Sequence, residues 1–119
     1  MNKNYYNCLD GYYYKTGIYR DRPLKYIPYG QAGILENDDY IWLKSYTTIV
    51  LELNKKTGWL YCTGLYSRTT IKHISAFLRE VCPNTSYYTI RDCYKNAKIY
   101  NVYTGEVKSK EEWLKEGVA

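Results

Sequence analysis

The chain has 119 residues, a mass of 14.1 kDa, 45% hydrophobic and 24% charged residues and a net charge of +5. That length and composition fit one folded domain and exclude wholesale disorder. No stretch approaches the roughly 20 apolar residues of a membrane helix, and the start, Met1-Asn2-Lys3-Asn4-Tyr5-Tyr6, has no apolar signal core. These features predict a soluble, cytoplasmic protein without a membrane partner.

Residues 1–38 are rich in tyrosine and punctuated by Gly11, Gly17, Pro23, Pro28, Gly30 and Gly33. Helices do not tolerate that punctuation. Short strands at Tyr12–Tyr14 and Leu24–Tyr26, joined by turns, fit it better. Glu36–Asp39 reads as a polar turn before a short strand, Tyr40–Leu43. Thr47–Leu53 is β-branched and apolar, the composition of a central strand. Asn54–Gly58 then turns the chain, and Trp59–Tyr66 returns antiparallel. A two-stranded hairpin alone is marginal in water and needs a cover.

The cover follows at once. Ser67-Arg68-Thr69-Thr70 supplies N-cap hydroxyls. Ile71, Ile74, Phe77, Leu78 and Val81 recur at helical spacing, predicting a helix over 70–81 that stops before Pro83. Lys72, His73, Ser75, Arg79 and Glu80 fall to its other faces. Asn84-Thr85-Ser86 caps a second helix, Tyr87–Lys95. Ala97–Tyr103 alternates as a strand, and Thr104-Gly105 turns. Ser109 and Glu112 form a capping box opening a short helix over 109–117. This order predicts an α+β fold of one domain: a small antiparallel sheet with helices packed on one face.

Tyrosine occupies 17 positions and phenylalanine one. Tyr offers large contact area at the cost of two torsions and is enriched at recognition surfaces. The basic charge is concentrated in residues 51–100, which carry eight Lys/Arg against three Asp/Glu. Basic residues interleaved with tyrosines suit an acidic or nucleic-acid partner. The candidate contact residues are Tyr12, Tyr14, Tyr19, Tyr26 and Tyr29, with Arg68 and Lys72 beside them. A phosphate at the N-terminus of the 70–81 helix is the alternative use of Arg68 and Lys72.

Catalytic and metal signals are weaker. His73 is the single histidine, and it reads as a polar residue on a helix face with Thr69 and Thr70 within reach. Cys8, Cys62, Cys82 and Cys93 form no C-x-x-C pair, so neither a zinc site nor a disulfide framework is expected, and no cofactor motif is present.

Ser45-Tyr46-Thr47-Thr48-Ile49-Val50, followed by Thr63-Gly64-Leu65-Tyr66-Ser67-Arg68-Thr69-Thr70-Ile71-Lys72-His73-Ile74 and Phe77-Leu78, carries a pattern. It runs S-Y-x-T-x-V, a hairpin, then Y-S-x-T-T-x-x-H-I-x-x-F-L. This resembles a family of small proteins of bacterial viruses and mobile elements whose function is uncharacterised. The likeness covers residues 45–103 and transfers no catalytic residue. It implies a phage or mobile-element accessory protein, a setting in which small proteins inhibit host defence nucleases, as anti-CRISPRs do. Three functions follow as expectations. The first is stoichiometric binding to a host protein, such as a defence nuclease complex. The second is a nucleic-acid-binding module using basic and Tyr residues. The third is a small ribonuclease-like toxin using His73.

Overall fold

Seven strands pair in chain order, each antiparallel to the one before, in a computed structural model that describes residues 20–25, 27 and 31–116. They are β1 (Arg20–Pro23), β2 (Ala32–Glu36), β3 (Tyr40–Ser45), β4 (Thr48–Asn54), β5 (Trp59–Cys62), β6 (Lys98–Asn101) and β7 (Val107–Ser109). Between β5 and β6 run α1 (Arg68–Val81) and α2 (Tyr87–Lys95), and α3 (Lys110–Lys115) follows β7. The expected α+β class with an antiparallel sheet is the class observed.

The turns are made by side chains that answer loose backbone N–H groups. Asn37 Oδ1 accepts from the N–H of Asp39 and of Tyr40, and Asn54 Oδ1 accepts from those of Lys56 and Thr57. Gly58 closes the second turn at φ 89°, where a Cβ would lie 2.6 Å from Asn101 Oδ1. Any side chain there would have to displace those of Asn101 and Tyr103.

Strand alternation sorts the sheet into two faces. Ile34, Leu43, Leu51 and Leu60 share one, where α1 contributes Ile74, Phe77 and Leu78 and α2 contributes Ile90. Each such fully buried side chain contributes roughly 1.5–3 kcal/mol. The register Leu35↔Trp42, Trp42↔Glu52, Glu52↔Tyr61 draws a row across the opposite face. There the Trp113 ring of α3 lies 5.1 Å from that of Tyr61. So α1 and α2 cover one face, and α3 adds its single buried ring to the other. Every residue of Tyr40–Leu43 and Ile49–Leu53 is buried, which is why these strands read as apolar runs broken only by Glu52.

Several boundaries differ from the sequence expectation. The strand expected at Leu24–Tyr26 is instead β1, ending at Pro23; Lys25 lies in a turn, and Tyr26 lies outside the described residues, as does Tyr12–Tyr14. β5 ends at Cys62 rather than Tyr66; Thr63 still reaches β4, its N–H donating to the Val50 carbonyl and its hydroxyl to that of Ile49, but the chain beyond it turns away towards α1. The first helix starts at Arg68, one residue after its cap Ser67. α2 has the expected bounds, and the Ser109 hydroxyl caps α3 by accepting from the Glu112 N–H at 3.1 Å.

Candidate functional site

β3 and β4 carry an irregularity where they approach their turn. Leu43 pairs with Leu51 but Lys44 pairs with Ile49, so Val50 is an extra residue in β4. Such bulges re-aim side chains. Beyond it, Ser45 closes β3 on the face that α1 covers, and its hydroxyl meets His73 Nδ1 at 2.7 Å. The contact spans 28 residues of sequence and joins the two halves of the S-Y-x-T and Y-S-x-T-T-x-x-H pattern.

His73 is therefore not the polar helix-face residue the spacing suggested. It is 0% exposed. One turn after Thr70 and one turn before Phe77, it lies on the inner side of α1 with them and Ile74, which are also buried. Its Nε2 has no hydrogen-bond partner, alone among the buried side-chain nitrogen and oxygen atoms of the described residues. Burial, and then the charge of Lys72, holds the imidazole below its usual titration range, so the ring is neutral at pH 7.

Above this pair the chain turns through Tyr46, whose N–H donates to the Gln31 carbonyl at 2.8 Å. Tyr46 has φ 54°, a left-handed conformation that costs a residue with a Cβ roughly 1–2 kcal/mol. Its ring lies 5.6 Å from that of His73, yet the residue is 54% exposed. On the neighbouring path, Thr63 donates its N–H to the Val50 carbonyl, and the chain passes buried Gly64 to reach Tyr66. Tyr66 also adopts a left-handed φ, 49°, and is 65% exposed. Its hydroxyl lies 3.2 Å from Thr63 Oγ1. Its ring is drawn so closely over Gly64 that a Cβ there would sit 2.7 Å from it. Both tyrosines thus crown the same end of the sheet, each in a strained backbone and each anchored from beneath. Strain of this kind concentrates where function requires a fixed side chain.

α1 starts beside them. The Ser67 hydroxyl accepts from the Thr70 N–H at 3.3 Å, and Arg68 and Lys72 follow on the exposed side, one turn apart. The site's accessible chemistry is then two phenol rings, a guanidinium and an ammonium. Its buried chemistry is the Ser45–His73 pair. A nucleophile and base in contact can serve catalysis, but Ser45 is 5% exposed and the imidazole lies under the Tyr46 ring. The pair fixes β3 to α1.

Of the sequence-predicted candidates, the structure sets Arg68 and Lys72 on one exposed helix face at this end. Tyr12, Tyr14, Tyr19, Tyr26 and Tyr29 lie outside the described residues. Tyr46 and Tyr66 were not singled out by composition, although both stand inside the motif, directly before its two serine-led segments or within them. Three other basic residues of 51–100 are paired elsewhere. Lys55 pairs with Glu36, Lys56 with Asp39 and Arg91 with Asp92. Tyr88 stacks under Arg91 on α2.

Among the described residues, no three His, Cys, Asp or Glu side chains come together as a metal would require. Cys62, Cys82 and Cys93 are free, and burial pushes the Cys62 and Cys82 thiols up to about 11. No helix of the described residues is long and apolar enough to cross a membrane.

The sequence profile of a family of unknown function, DUF8033, matches residues 15–99 and so spans both halves of the motif and the whole Tyr46–His73 site. Comparison with curated proteins and with solved structures gives no match.

Proposed function

The chain belongs to the DUF8033 family, and we propose that it acts by stoichiometric binding to another protein, through the face crowned by Tyr46 and Tyr66 and flanked by Arg68 and Lys72. The observation that carries this reading is the pair of exposed tyrosines held in left-handed backbone at one end of the sheet, Tyr46 over a buried, incompletely satisfied histidine and Tyr66 over Gly64. Rigid aromatic anchors with an arginine beside them are what dominate protein-binding energetics. The biological role that fits such a face on a small single-domain scaffold is that of a phage or mobile-element accessory protein. Its target would be a host protein, such as a defence nuclease that it inhibits. Nucleic-acid binding is the second reading, favoured by the exposed Arg68 and Lys72. The toxin reading is the least supported, because His73 is buried and neutral.

Affinity capture of the partner from host lysate, with and without nuclease treatment, separates the first two. A protein partner that survives nuclease and whose affinity changes little with salt supports the binding reading. Loss of the captured material on nuclease treatment, with affinity falling steeply in salt, supports the nucleic-acid reading. With a protein partner, R68E/K72E slows association by about tenfold at low salt and changes dissociation little.

A further inference from the structure

The four exposed residues of α1 are Arg68, Lys72, Ser75 and Arg79. Their spacing, i, i+4, i+7 and i+11, keeps all four within about 60° of one another around the helix axis. Ile74, Phe77 and Leu78 take the other side and enter the core. The stripe is therefore straight, and at about 1.5 Å per residue it runs for roughly 16 Å. Three of its four side chains are cations, and Ser75 is the small residue between them. Tyr66 stands two residues before its first member, and the Tyr46 ring lies 5.6 Å from that of His73, the residue after Lys72.

Part of the charge on this stripe is unanswered. Arg68 and Lys72 take part in no ion pair among the described residues. The one carboxylate of α1, Glu80, is turned aside: its Oε1 accepts from the Lys25 N–H at 2.9 Å, beyond the end of β1. Arg68 is the first helical residue, and no acidic residue stands in the first turn. The helix dipole disfavours a cation there and favours an anion. α3 shows the ordinary solution, with Glu111 and Glu112 in its first turn and Lys115 in its last. α1 has a positive end without a counter-charge of its own.

A nucleic-acid surface makes roughly six to ten phosphate contacts along its path. This stripe has three cations on one helix, and Lys55, Lys56, Arg91, Lys108 and Lys115 are already ion-paired. A second helix suits it better. Carboxylates repeating on that helix at i, i+4, i+7 and i+11 would stand opposite Arg68, Lys72 and Arg79 in either direction of packing, and Ser75 leaves room for close approach. We propose that the partner of the Tyr46–Tyr66 face presents an acidic α-helix along this stripe. The inference rests on the protein-binding reading above and names the chemistry of that partner.

The test is a titration of the ¹⁵N-labelled full chain with three probes at constant ionic strength. The first is an alanine-based helical peptide with Glu at i, i+4, i+7 and i+11. The second has the same composition with its Glu residues spread around the helix, and the third is a single-stranded oligothymidylate of equal charge. The expected result is saturable movement of the amide signals of Tyr66, Arg68, Lys72 and Ser75 with the striped peptide, which binds about fivefold more tightly than either other probe. R68Q/K72Q should weaken that binding about fivefold, while K98Q, at an exposed lysine of β6, leaves it unchanged. The native spectrum of each variant shows that it has folded, and the comparison of probes on the wild-type chain needs no variant. Equal binding of the two peptides, no saturable movement of these signals, or R68Q/K72Q binding as tightly as wild type overturns the acidic helix and leaves the protein-binding reading standing. Tighter binding of the oligothymidylate overturns the acidic helix in favour of the nucleic-acid reading. The protein-binding reading fails by a separate result, unchanged affinity for the captured partner once the Tyr46 and Tyr66 rings are removed.

Discussion

The two faces of the sheet each bury a titratable side chain against β3, and they do it in opposite ways. On the face away from α1, the Trp42 indole N–H donates to Glu52 Oε1 at 2.7 Å, and the Tyr40 ring stacks on Trp42 with centroids 5.5 Å apart. Trp42 and Glu52 sit mid-strand, in regular register, and nothing about the backbone of these residues is strained. On the face under α1, the Ser45–His73 pair sits at a strand end, beyond a bulge, beneath a left-handed tyrosine that faces solvent, and one ring nitrogen is left without a partner. The first arrangement is what a core does with a polar atom. The second keeps a strained backbone and an unsatisfied buried nitrogen, both of which cost stability, beneath an exposed aromatic ring that it holds in place. That contrast is the reason for placing function at the Tyr46 end and structure at the Trp42 row.

Variants on the two faces sharpen the contrast, and their effects on stability should fall in a definite order. Phe77 lies in the α1 face of the core with no exposure. Phe77→Ala should cost about 3–5 kcal/mol in chemical denaturation; a loss below about 1 kcal/mol would mean that α1 does not pack through this residue.

Glu52 comes next. Burial pushes its carboxyl up to about 7, from 4.5, against the smaller opposing effect of the Trp42 N–H. The unfolded chain therefore releases this proton near 4.5 while the native state holds it to about 7. The native state binds more protons in between, so Glu52 lowers stability as pH rises through that window. Glu52→Gln keeps an acceptor for the Trp42 indole and removes the charge. Its stability relative to wild type should rise between pH 5 and pH 8, by at most about 3 kcal/mol. A pH-independent difference would show that the carboxylate is ionised in the native state throughout.

Ser45→Ala should have a smaller effect, about 1–3 kcal/mol, because it leaves both His73 nitrogens buried without a partner. The His73 contribution has the opposite pH sign to that of Glu52. The unfolded imidazole takes a proton near 6.5 and the buried one resists it, so this contribution is lost as pH falls below 6.5. Thermal melts of wild type and Ser45→Ala at pH 5 and pH 7.5 check both the size and the sign.

Much of this fold was legible in the chain because its signals are local. Ser67, Ser86 and Ser109 announce three helices by capping them, and the β-branched run of β4 and the Asn54–Gly58 turn announce a hairpin. β2 was not legible: Gly33 interrupts a five-residue strand whose support is its register with β1 and β3. β7 is three residues long and exists by pairing with β6. The site was half legible. Arg68 and Lys72 follow from the helix cap, and the motif that contains Tyr46, Tyr66 and His73 is visible as a pattern. The burial of His73 is not, because one polar residue inside an amphipathic helix reads as surface until its partner is known. That partner, Ser45, is 28 residues away on another element.

The central claim concerns Tyr46 and Tyr66, and the measurement that tests it most directly is the double variant Tyr46→Gly, Tyr66→Gly, with affinity for the captured partner and melting temperature determined on the same sample. Glycine accepts a left-handed φ without strain, and both rings are more than half exposed, so their removal should leave the melting temperature within a few degrees of wild type. Binding should weaken by more than about 2 kcal/mol, roughly thirtyfold. A variant that binds as tightly as wild type would contradict the account, and so would one that loses binding only because it has unfolded.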